Sequence, residues 1–472
     1  MKKFLITTAI PYVNAKPHIG HALEFVQTDV IARSQRLRHR EVVFLTGSDE
    51  NALKNVQAAE KSGVEVESFC KHNAETFSQM MQVLQVQYDV FQRSSSPQHH
   101  QASQLLWEKC KASGDIYQKE YEGLYCVGCE TFYTVDELNE QGECVEHPGK
   151  PLEKVKENNY FFRLSKYATR IADLIEKKEI QIVPEKREKE IVNFLKGDVQ
   201  DISISRSVER ARGWGVPVPH DVSQIMYVWF DALNVYQSGV GFGNNELQYT
   251  SSWPADVHVI GKGILRFHAV YWPAILLSAH LELPKKICVH GYFTVNGQKM
   301  SKTIGNVVDP FNVVEKFGTD SVRYYLLREM STSEDGDFSI ERLREVRNTI
   351  LANDLGNLAS RCASLSRTEV FTVIAPTQIS TTVASYIDQF KLKEAMDEIW
   401  ERVQTLNTKI TQEKPWTLSS GKAKYMEEVI QEFVQIAFDL QPFLPETGEK
   451  ILSYFLQNKK EDFAPLFPKI HQ

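Results

Sequence analysis

Short apolar segments that alternate with helical stretches are the feature that most restricts the fold of this chain. Four of them, at 3–10, 41–45, 257–260 and 287–289, have the length and composition of buried β-strands. Helical patterns lie between them, and this alternation predicts a parallel sheet with helices on both faces. A chain of 472 residues is too long for one core, so several domains are expected.

Two regions depart from the alternation. Between about 116 and 225, clustered cysteines, short strand-like pieces and charged runs indicate an insertion between the two halves of the sheet. From about residue 341, apolar residues recur at helical spacing, which is typical of a helix bundle. The sequence therefore predicts an α/β domain with an insertion, followed by an all-α domain.

Composition and charge exclude few functions. The net charge is −7, with 42% hydrophobic and 24% charged residues, which is ordinary for a globular protein and leaves an RNA partner open. The opening MKKFLITTAI lacks a small-residue cleavage site, and no apolar run is long enough to span a bilayer. We expect a cytoplasmic protein with no membrane partner.

The junction of the first strand and the first helix reads PHIGHALEF, with the helix expected from about His21. A helix N-terminus presents unpaired N–H groups and the positive end of the dipole, and so binds phosphates. His18 and His21 could donate hydrogen bonds to phosphate oxygens there, and Gly20 leaves room for a ring close to the backbone. On this motif alone, two histidines that merely cap a helix are as good an interpretation as a phosphate site.

A second loop, GQKMSKTIGN at 297–306, follows the last strand. Lys299 and Lys302 flank Ser301 between glycines, a composition suited to a mobile cationic loop that binds a polyphosphate. A solvated lysine loop is the alternative. Both loops follow strands of the predicted parallel sheet, whose carboxyl ends bind ligands in open α/β folds, so together they predict a nucleotide site.

These two loops resemble the HIGH and KMSKS signatures of class I aminoacyl-tRNA synthetases. TTAIPYVNAKPHIGH, MYVWFDALNVY and VIGKGILRFHAVYWPAILL resemble the methionyl-tRNA synthetases, over nearly the whole chain. The resemblance implies that ATP, with Mg²⁺, activates L-methionine, which is then transferred to the 3′ end of initiator and elongator tRNA-Met. The catalytic residues that it implies are His18, His21, Lys299 and Lys302.

The same resemblance implies two sets of binding residues. Those for ATP are Gly20, Gly261, His290, Gly291 and Ser301. Those for methionine are Ile10, Tyr12, Asp49, Trp229, Ala232, Leu233, Tyr236, Ile264 and His268. Asp49 would pair with the ammonium group of the substrate, and the hydroxyls of Tyr12 and Tyr236 would contact its thioether sulfur.

The chain departs from the family pattern at two places. TGSDENA stands where the family usually has TGTDEHG, so Asn51 replaces a histidine and Ala52 a glycine. GKG at 261–263 stands where the family often has GKD, so Gly263 replaces an aspartate that would face the ribose.

Cys126, Cys129, Cys144 and His147 form a C-x-x-C pair and a C-x-x-H pair separated by fourteen residues. This spacing and donor set favour one tetrahedral, structural Zn²⁺, and four protein ligands leave no position for water. The alternative is four unliganded side chains in a reducing compartment. Some methionyl-tRNA synthetases carry one such knuckle in their connective insertion. The other cysteines are predicted to be buried thiols: Cys70, Cys110, Cys288 and Cys362.

The helical part carries two further signals, NLASR and EKPW. The resemblance implies that Asn357, Arg361 and Trp416 contact the CAU anticodon, since an unpaired base can stack on an indole. The alternative is a helix-surface arginine and a buried tryptophan. Some family members carry a further C-terminal, dimerising domain; because this chain ends at Gln472, we expect a monomer.

The resemblance divides the chain into five parts. Residues 1–115 and 226–298 are the two halves of a Rossmann-type catalytic domain, and 116–225 is the connective insertion with its knuckle at about 121–150. Residues 299–345 are the lysine loop and stem-contact region, and 346–472 are the α-helical anticodon-binding domain. Two alternatives remain open: another class I synthetase, cysteine first, and a tRNA-binding paralogue without catalysis.

Overall fold

The computed structural model of the chain describes residues 2–126, 128, 131–133, 138–145, 149–295, 297–300, 305–418, 420–457 and 462–470. The chain forms two units. The first comprises 1–16, 43–78 and 88–289, and the second comprises 17–42, 79–87 and 290–472.

The strands and helices of the described part are as follows. The strands are β1 (Phe4–Thr8), β2 (Val42–Ser48), β3 (Val90–Arg93), β4 (Ile116–Cys126), β5 (Thr131–Tyr133), β6 (Glu153–Phe162), β7 (Gln181–Val183), β8 (Ile202–Ser203), β9 (Ser205–Ser207), β10 (Pro217–Val218), β11 (Asp221–Met226), β12 (Val257–Gly261), β13 (Lys286–His290), β14 (Phe293–Val295), β15 (Gln298–Lys299) and β16 (Gly336–Phe338). The helices are α1 (Ile19–Leu37), α2 (Leu53–Ser62), α3 (Val66–Val83), α4 (Pro97–Ala112), α5 (Ala168–Glu176), α6 (Glu185–Leu195), α7 (Val228–Ala232), α8 (Val235–Ser238), α9 (Glu246–Ser252), α10 (Trp272–Ser278), α11 (Pro310–Phe317), α12 (Thr319–Tyr324), α13 (Ile340–Val346), α14 (Asn357–Ser366), α15 (Thr381–Asp388), α16 (Leu392–Glu413), α17 (Lys422–Leu440) and α18 (Pro445–Leu456).

The first unit is built on a six-stranded sheet with the order β3-β2-β1-β12-β13-β7. The pairings of β2 with β3, β1 with β12 and β13 with β7 are all parallel. Every residue of β1 is buried, and the Thr8 hydroxyl donates to that of Thr46 in β2 at 2.7 Å. This confirms the predicted parallel sheet, and the loops that follow β2, β1 and β12 leave from neighbouring strands.

The range 116–225 contributes to more than one sheet. The strands β4 and β6 form a long antiparallel ladder from Ile116↔Phe162 to Tyr125↔Glu153, within a four-stranded sheet of order β5-β4-β6-β8. The strand β7 instead joins the edge of the parallel sheet, with Gln181 opposite Lys286. The segment predicted as an insertion therefore also supplies a strand to the main sheet, and the predicted domain boundaries stay predictions.

The second unit contains the helical C-terminal part. The predicted stripes on α16 and α17 are buried, as expected for a bundle core. The Arg323 guanidinium of α12 is fully buried; it pairs with Asp29 of α1 at 2.8 Å and donates to the carbonyls of Leu84, Pro442 and Phe443. Because a buried cation needs such compensation, this set of bonds holds α1 against the helical part of its unit.

Among the residues described, no helix combines the length and the apolar character that crossing a membrane requires.

Candidate functional site

The two histidines of the first motif cap α1. The helix begins at Ile19, earlier than expected, because His18 is its N-cap residue. His18 Nδ1 accepts a hydrogen bond from the Gly20 N–H at 3.1 Å, and His21 Nδ1 accepts one from the His18 N–H at 3.2 Å. The rings stack with centroids 3.9 Å apart. This is a capping box made of imidazoles.

The cap also determines which ring nitrogen carries the proton. Because each Nδ1 accepts from a backbone N–H, the hydrogen-bond network assigns the neutral tautomer with its proton on Nε2. Desolvation, and secondly the His18 ring, hold the pKa of His21 well below its ordinary value, so this ring is neutral at pH 7. Each ring therefore has an Nε2–H that can donate to an anion, and capping and phosphate binding are compatible.

Gly20 lies under the His18 ring, as expected. A Cβ placed on Gly20 would stand 3.0 Å from Cε1 and Nδ1 of His18 and 3.1 Å from the Met300 side chain. A larger residue at this position would push the capping ring out of place.

His290 is fully engaged within its own unit. Its Nδ1 lies 2.7 Å from the Gly291 carbonyl oxygen, and its Nε2 lies 2.8 Å from Glu24 Oε2 on α1. A Cβ on Gly291 would come within 2.2 Å of the Glu334 carbonyl oxygen, so only glycine fits. Both residues predicted to lie beside the adenine thus form a packed contact, and their role in ATP binding stays a prediction.

Part of the lysine loop falls outside the described residues. This holds for Ser301 and Lys302 and for the side chain of Lys299.

In the first unit, the loops after β1 and β2 join to form one end of the predicted methionine site. Tyr12 and Asp49 form an isolated parallel bridge, and the Asp49 N–H donates to the Pro11 carbonyl at 2.9 Å. The Asp49 side chain is buried. The Lys54 ammonium lies 3.1 Å from the centroid of the Tyr12 ring. The bridge thus brings the backbone of Asp49 next to that of Tyr12, and the pairing of Asp49 with the substrate ammonium group stays a prediction.

Aromatic rings form the wall of this region. Trp229 of α7 packs edge-on to Tyr12, with centroids 6.4 Å apart, and stacks on Phe267 at 3.7 Å with an interplanar angle of 4°. His268 packs edge-on to Trp229 at 6.3 Å. The structure therefore brings Tyr12, Trp229 and His268 together, and their role in binding methionine stays a prediction. Phe267 was missed by the sequence reasoning, although an aromatic residue directly before His268 was visible in LRFH.

The remaining residues predicted to bind methionine lie in the same helices and loops or next to them. Ala232, Leu233 and Tyr236 are buried in or directly after α7 and α8, whereas Ile10 and Ile264 are half-buried in the loops after β1 and β12. Gly261 is the last residue of β12, and the exposed Gly263 follows it in a 3-10 turn.

One expected interaction of Tyr236 does not fit the hydrogen bonds. His268 Nδ1 lies 2.9 Å from the Ile264 carbonyl oxygen and must donate to it, so Nε2 is the acceptor. The Tyr236 hydroxyl lies 2.7 Å from that Nε2 and therefore donates its proton to His268 rather than to a ligand sulfur. Burial lowers the pKa of His268 to about 4, which keeps this ring neutral.

The cysteines agree with the expected burial. Cys126 ends β4 and, like Cys144, is buried; Cys129 and His147 lie outside the described residues. Within the described ranges, which thus lack two of the four predicted ligands, no group of three metal-binding side chains occurs. The predicted buried thiols are all buried: Cys70, Cys110, Cys288 and Cys362.

In the second unit, Asn357 and Arg361 lie one turn apart on α14 and line one open cleft of about 610 Å³ with Gln404 and Asn407 of α16. Arg361 donates to the Asn407 side-chain oxygen at 3.3 Å and to the Thr411 hydroxyl at 3.1 Å. Polar side chains with both donors and acceptors thus face this cleft.

Trp416 lies outside the lining of that cleft, in a 3-10 turn that follows the end of α16. Its side chain is 54% exposed, so the alternative of a buried core tryptophan is wrong.

Comparison with known proteins agrees with this architecture. Residues 4–363 match the family profile described as tRNA synthetases class I (M). The methionine–tRNA ligase of Brucella melitensis biotype 1 is 40% identical over 472 residues, covering 96% of this chain and 91% of that protein. The one from Thermotoga maritima is also 40% identical, covering 95% of this chain and 74% of that protein.

A solved structure is similar over the full length. Mycobacterium tuberculosis methionyl-tRNA synthetase in complex with methionyl-adenylate matches with a TM-score of 0.89 at 36% identity, covering 100% of this chain and 99% of that one. A chain with this sheet, this histidine cap and these relatives belongs to the class I tRNA synthetases, in the methionyl-tRNA synthetase family.

The buried state of His268 predicts a pH-dependent stability. Its pKa is about 4 in the folded chain and near 6.5 when unfolded, so the unfolded chain binds more protons between these values. The stabilisation is complete above pH 6.5 and is lost as the pH falls toward 4, by on the order of 3 kcal/mol for this group. His268→Gln should therefore flatten the dependence of the free energy of unfolding on pH, measured by urea titration at pH 4.5 and 7.

The exposed His72 on α3 provides the control. His72→Gln should keep the pH dependence of the parent protein. Identical pH dependence in the parent and in His268→Gln would contradict the assignment of His268 as a buried neutral ring.

Proposed function

We propose that this protein activates L-methionine with ATP to methionyl-adenylate and then transfers the methionyl group to the 3′ end of tRNA-Met. The observation that carries the proposal is the pocket in which Asp49, Tyr12, Trp229 and His268 meet at the ends of β1, β2 and β12. A family relative of the same fold has been solved in complex with methionyl-adenylate.

In the activation step, the methionine carboxylate attacks the α-phosphate and pyrophosphate leaves. The fixed tautomers of His18 and His21 provide Nε2–H donors for the negative charge that develops on the phosphate. Lys302, assisted by Lys299, would hold the leaving pyrophosphate. Mg²⁺ enters with ATP and would neutralise part of the phosphate charge.

Methionine recognition follows from the walls of the pocket. The Asp49 carboxylate pairs with the substrate ammonium group, and the Trp229 and Tyr12 rings contact the side chain. A soft, polarizable thioether suits such aromatic surfaces. Tyr236 contributes indirectly to methionine recognition. Its hydroxyl donates a hydrogen bond that holds the His268 ring in a single orientation beside Trp229.

An amino-acid-dependent ATP–pyrophosphate exchange assay tests this function. Methionine alone among the twenty amino acids should support exchange, because only its side chain is matched by the pocket. Exchange with cysteine would favour another class I synthetase, and binding of tRNA without any exchange would favour an inactive paralogue.

A structural zinc site is the second part of the proposal. Cys126 and Cys144 would contribute two of four ligands together with Cys129 and His147, and the burial of both thiols, the first at the end of β4, supports this site. These four side chains would hold the metal, which would stabilise a segment with a small core.

The zinc proposal predicts a defined metal content. The purified protein should contain one zinc ion per chain, and Cys144→Ser should lower it to near zero because one thiolate ligand is lost. Cys362→Ser, which removes a buried thiol of α14, should retain the metal. Elemental analysis measures both, and equal zinc content in the two variants would contradict the site.

The anticodon is proposed to bind in the second unit, at the cleft of Asn357 and Arg361 and on the exposed ring of Trp416. Amide and guanidinium groups can read base edges, and an exposed indole offers a surface on which an unpaired base stacks. We also propose that the protein is cytoplasmic, since its proposed substrates are those of cytoplasmic translation, and that it is a monomer, which equilibrium sedimentation tests.

Trp416→Ala should weaken charging and leave activation unchanged. Base stacking on an aromatic ring is worth about 1–3 kcal/mol, so kcat/KM for tRNA-Met should fall roughly 5- to 150-fold while ATP–pyrophosphate exchange is retained. Leu418→Ala, which truncates another exposed apolar side chain two residues later, is the matched control and should change neither rate. A parallel loss of exchange in Trp416→Ala would contradict a role confined to tRNA binding.

A further inference from the structure

Asn51, which replaces the histidine usual in the family, lies between the two halves of the proposed methionine pocket. It follows Asp49 by two residues in the loop after β2, and its side chain is buried. The amide nitrogen donates to Asp231 Oδ2 at 2.6 Å and to the Ser94 carbonyl oxygen at 3.0 Å. All of these groups belong to the first unit.

The partner of Asn51 is a fully buried carboxylate with few other bonds. Asp231 Oδ2 lies 3.5 Å from His99 Nε2, and Oδ1 has no hydrogen-bond partner among the residues that the structure describes. His99 itself is held by Ser238 and Ser103. Since a buried carboxylate depends on its donors, the short bond from Asn51 is the main support of Asp231.

Asp231 in turn belongs to α7, the short helix that presents the aromatic wall. Trp229 precedes it by two residues and Ala232 follows it directly, so any shift of Asp231 moves both. A five-residue helix has little stability of its own and takes its position from such tertiary bonds.

We propose that Asn51 is a positioning residue that joins the ammonium-binding loop to the aromatic wall and so sets the methionine pocket. Asn51 is on the same loop as Asp49, and its hydrogen bond to Asp231 links this loop to α7, which carries Trp229. Asn51 touches no substrate in this role; its amide N–H holds two parts of the pocket at one spacing. The inference rests on the proposed function. It requires that the residue at position 51 provide an N–H donor to Asp231, whichever residue that is.

Two variants remove the donor in different ways. Asn51→Leu keeps the volume and removes all polarity, and Asn51→Ala removes the amide group together with most of the side chain. In ATP–pyrophosphate exchange, both should raise the KM for methionine at least about tenfold, as loss of a hydrogen bond to a charged group implies, and leave the KM for ATP within about twofold. Asn51→His retains an N–H donor and should return the KM for methionine to within a few-fold of the parent.

Asn159→Leu is the matched control, because Asn159 is another buried asparagine of the first unit whose amide donates to Glu157 of β6. It should lower the melting temperature but leave the ratio of the two KM values unchanged. Circular dichroism melting of each variant separates misfolding from a local effect.

The outcomes distinguish the inference from the function on which it rests. If the parent protein lacks methionine-dependent exchange, the proposed function fails and the inference fails with it. If the parent is active and both donor-free variants keep its KM for methionine, or raise both KM values in proportion, the inference alone is overturned. A KM for methionine that stays high in Asn51→His would also overturn it, because the donor would then not be the cause.

Discussion

The order of the parallel strands is the constraint on which the proposed methionine pocket depends. Because β2, β1 and β12 are neighbours, their carboxyl ends deliver Asp49, Tyr12 and the segment ending in His268 to one edge. Residues separated by more than two hundred positions are thereby brought to the same edge of the sheet. The backbone bridge between Tyr12 and Asp49 joins the loops after β1 and β2. The hydrogen bond from Asn51 to Asp231 then joins the loop after β2 to α7.

Fixed imidazole tautomers recur in both units. His18 and His21 accept backbone N–H groups through Nδ1, which leaves the proton on Nε2, whereas His268 donates through Nδ1 and accepts from Tyr236 through Nε2. The tautomers differ because the rings face different backbone groups. Nδ1 of His18 and of His21 faces an N–H at the start of α1, whereas Nδ1 of His268 faces the Ile264 carbonyl. The first two rings therefore carry their proton on Nε2, and the third ring is a neutral part of a packed wall.

Prediction from the sequence succeeded where a local pattern determines the structure. The strand and helix periods gave the parallel sheet and the helical bundle, and the H-x-G-H spacing placed two rings at a helix start. It failed where a partner comes from elsewhere in the chain: Phe267 beside Trp229, the Tyr236 proton donated to His268, and β7 at the sheet edge. None of these pairings leaves a trace in the spacing of nearby residues.

By itself, the sequence determined the class of fold, the two loop motifs and the family, because these reside in periodicity and in short contiguous segments. Only the tertiary structure decided which nitrogen of each histidine carries a proton and which carboxylate Asn51 supports. The physical reason is that proton positions and buried hydrogen bonds depend on which groups are desolvated together, and that grouping exists only after the chain has folded.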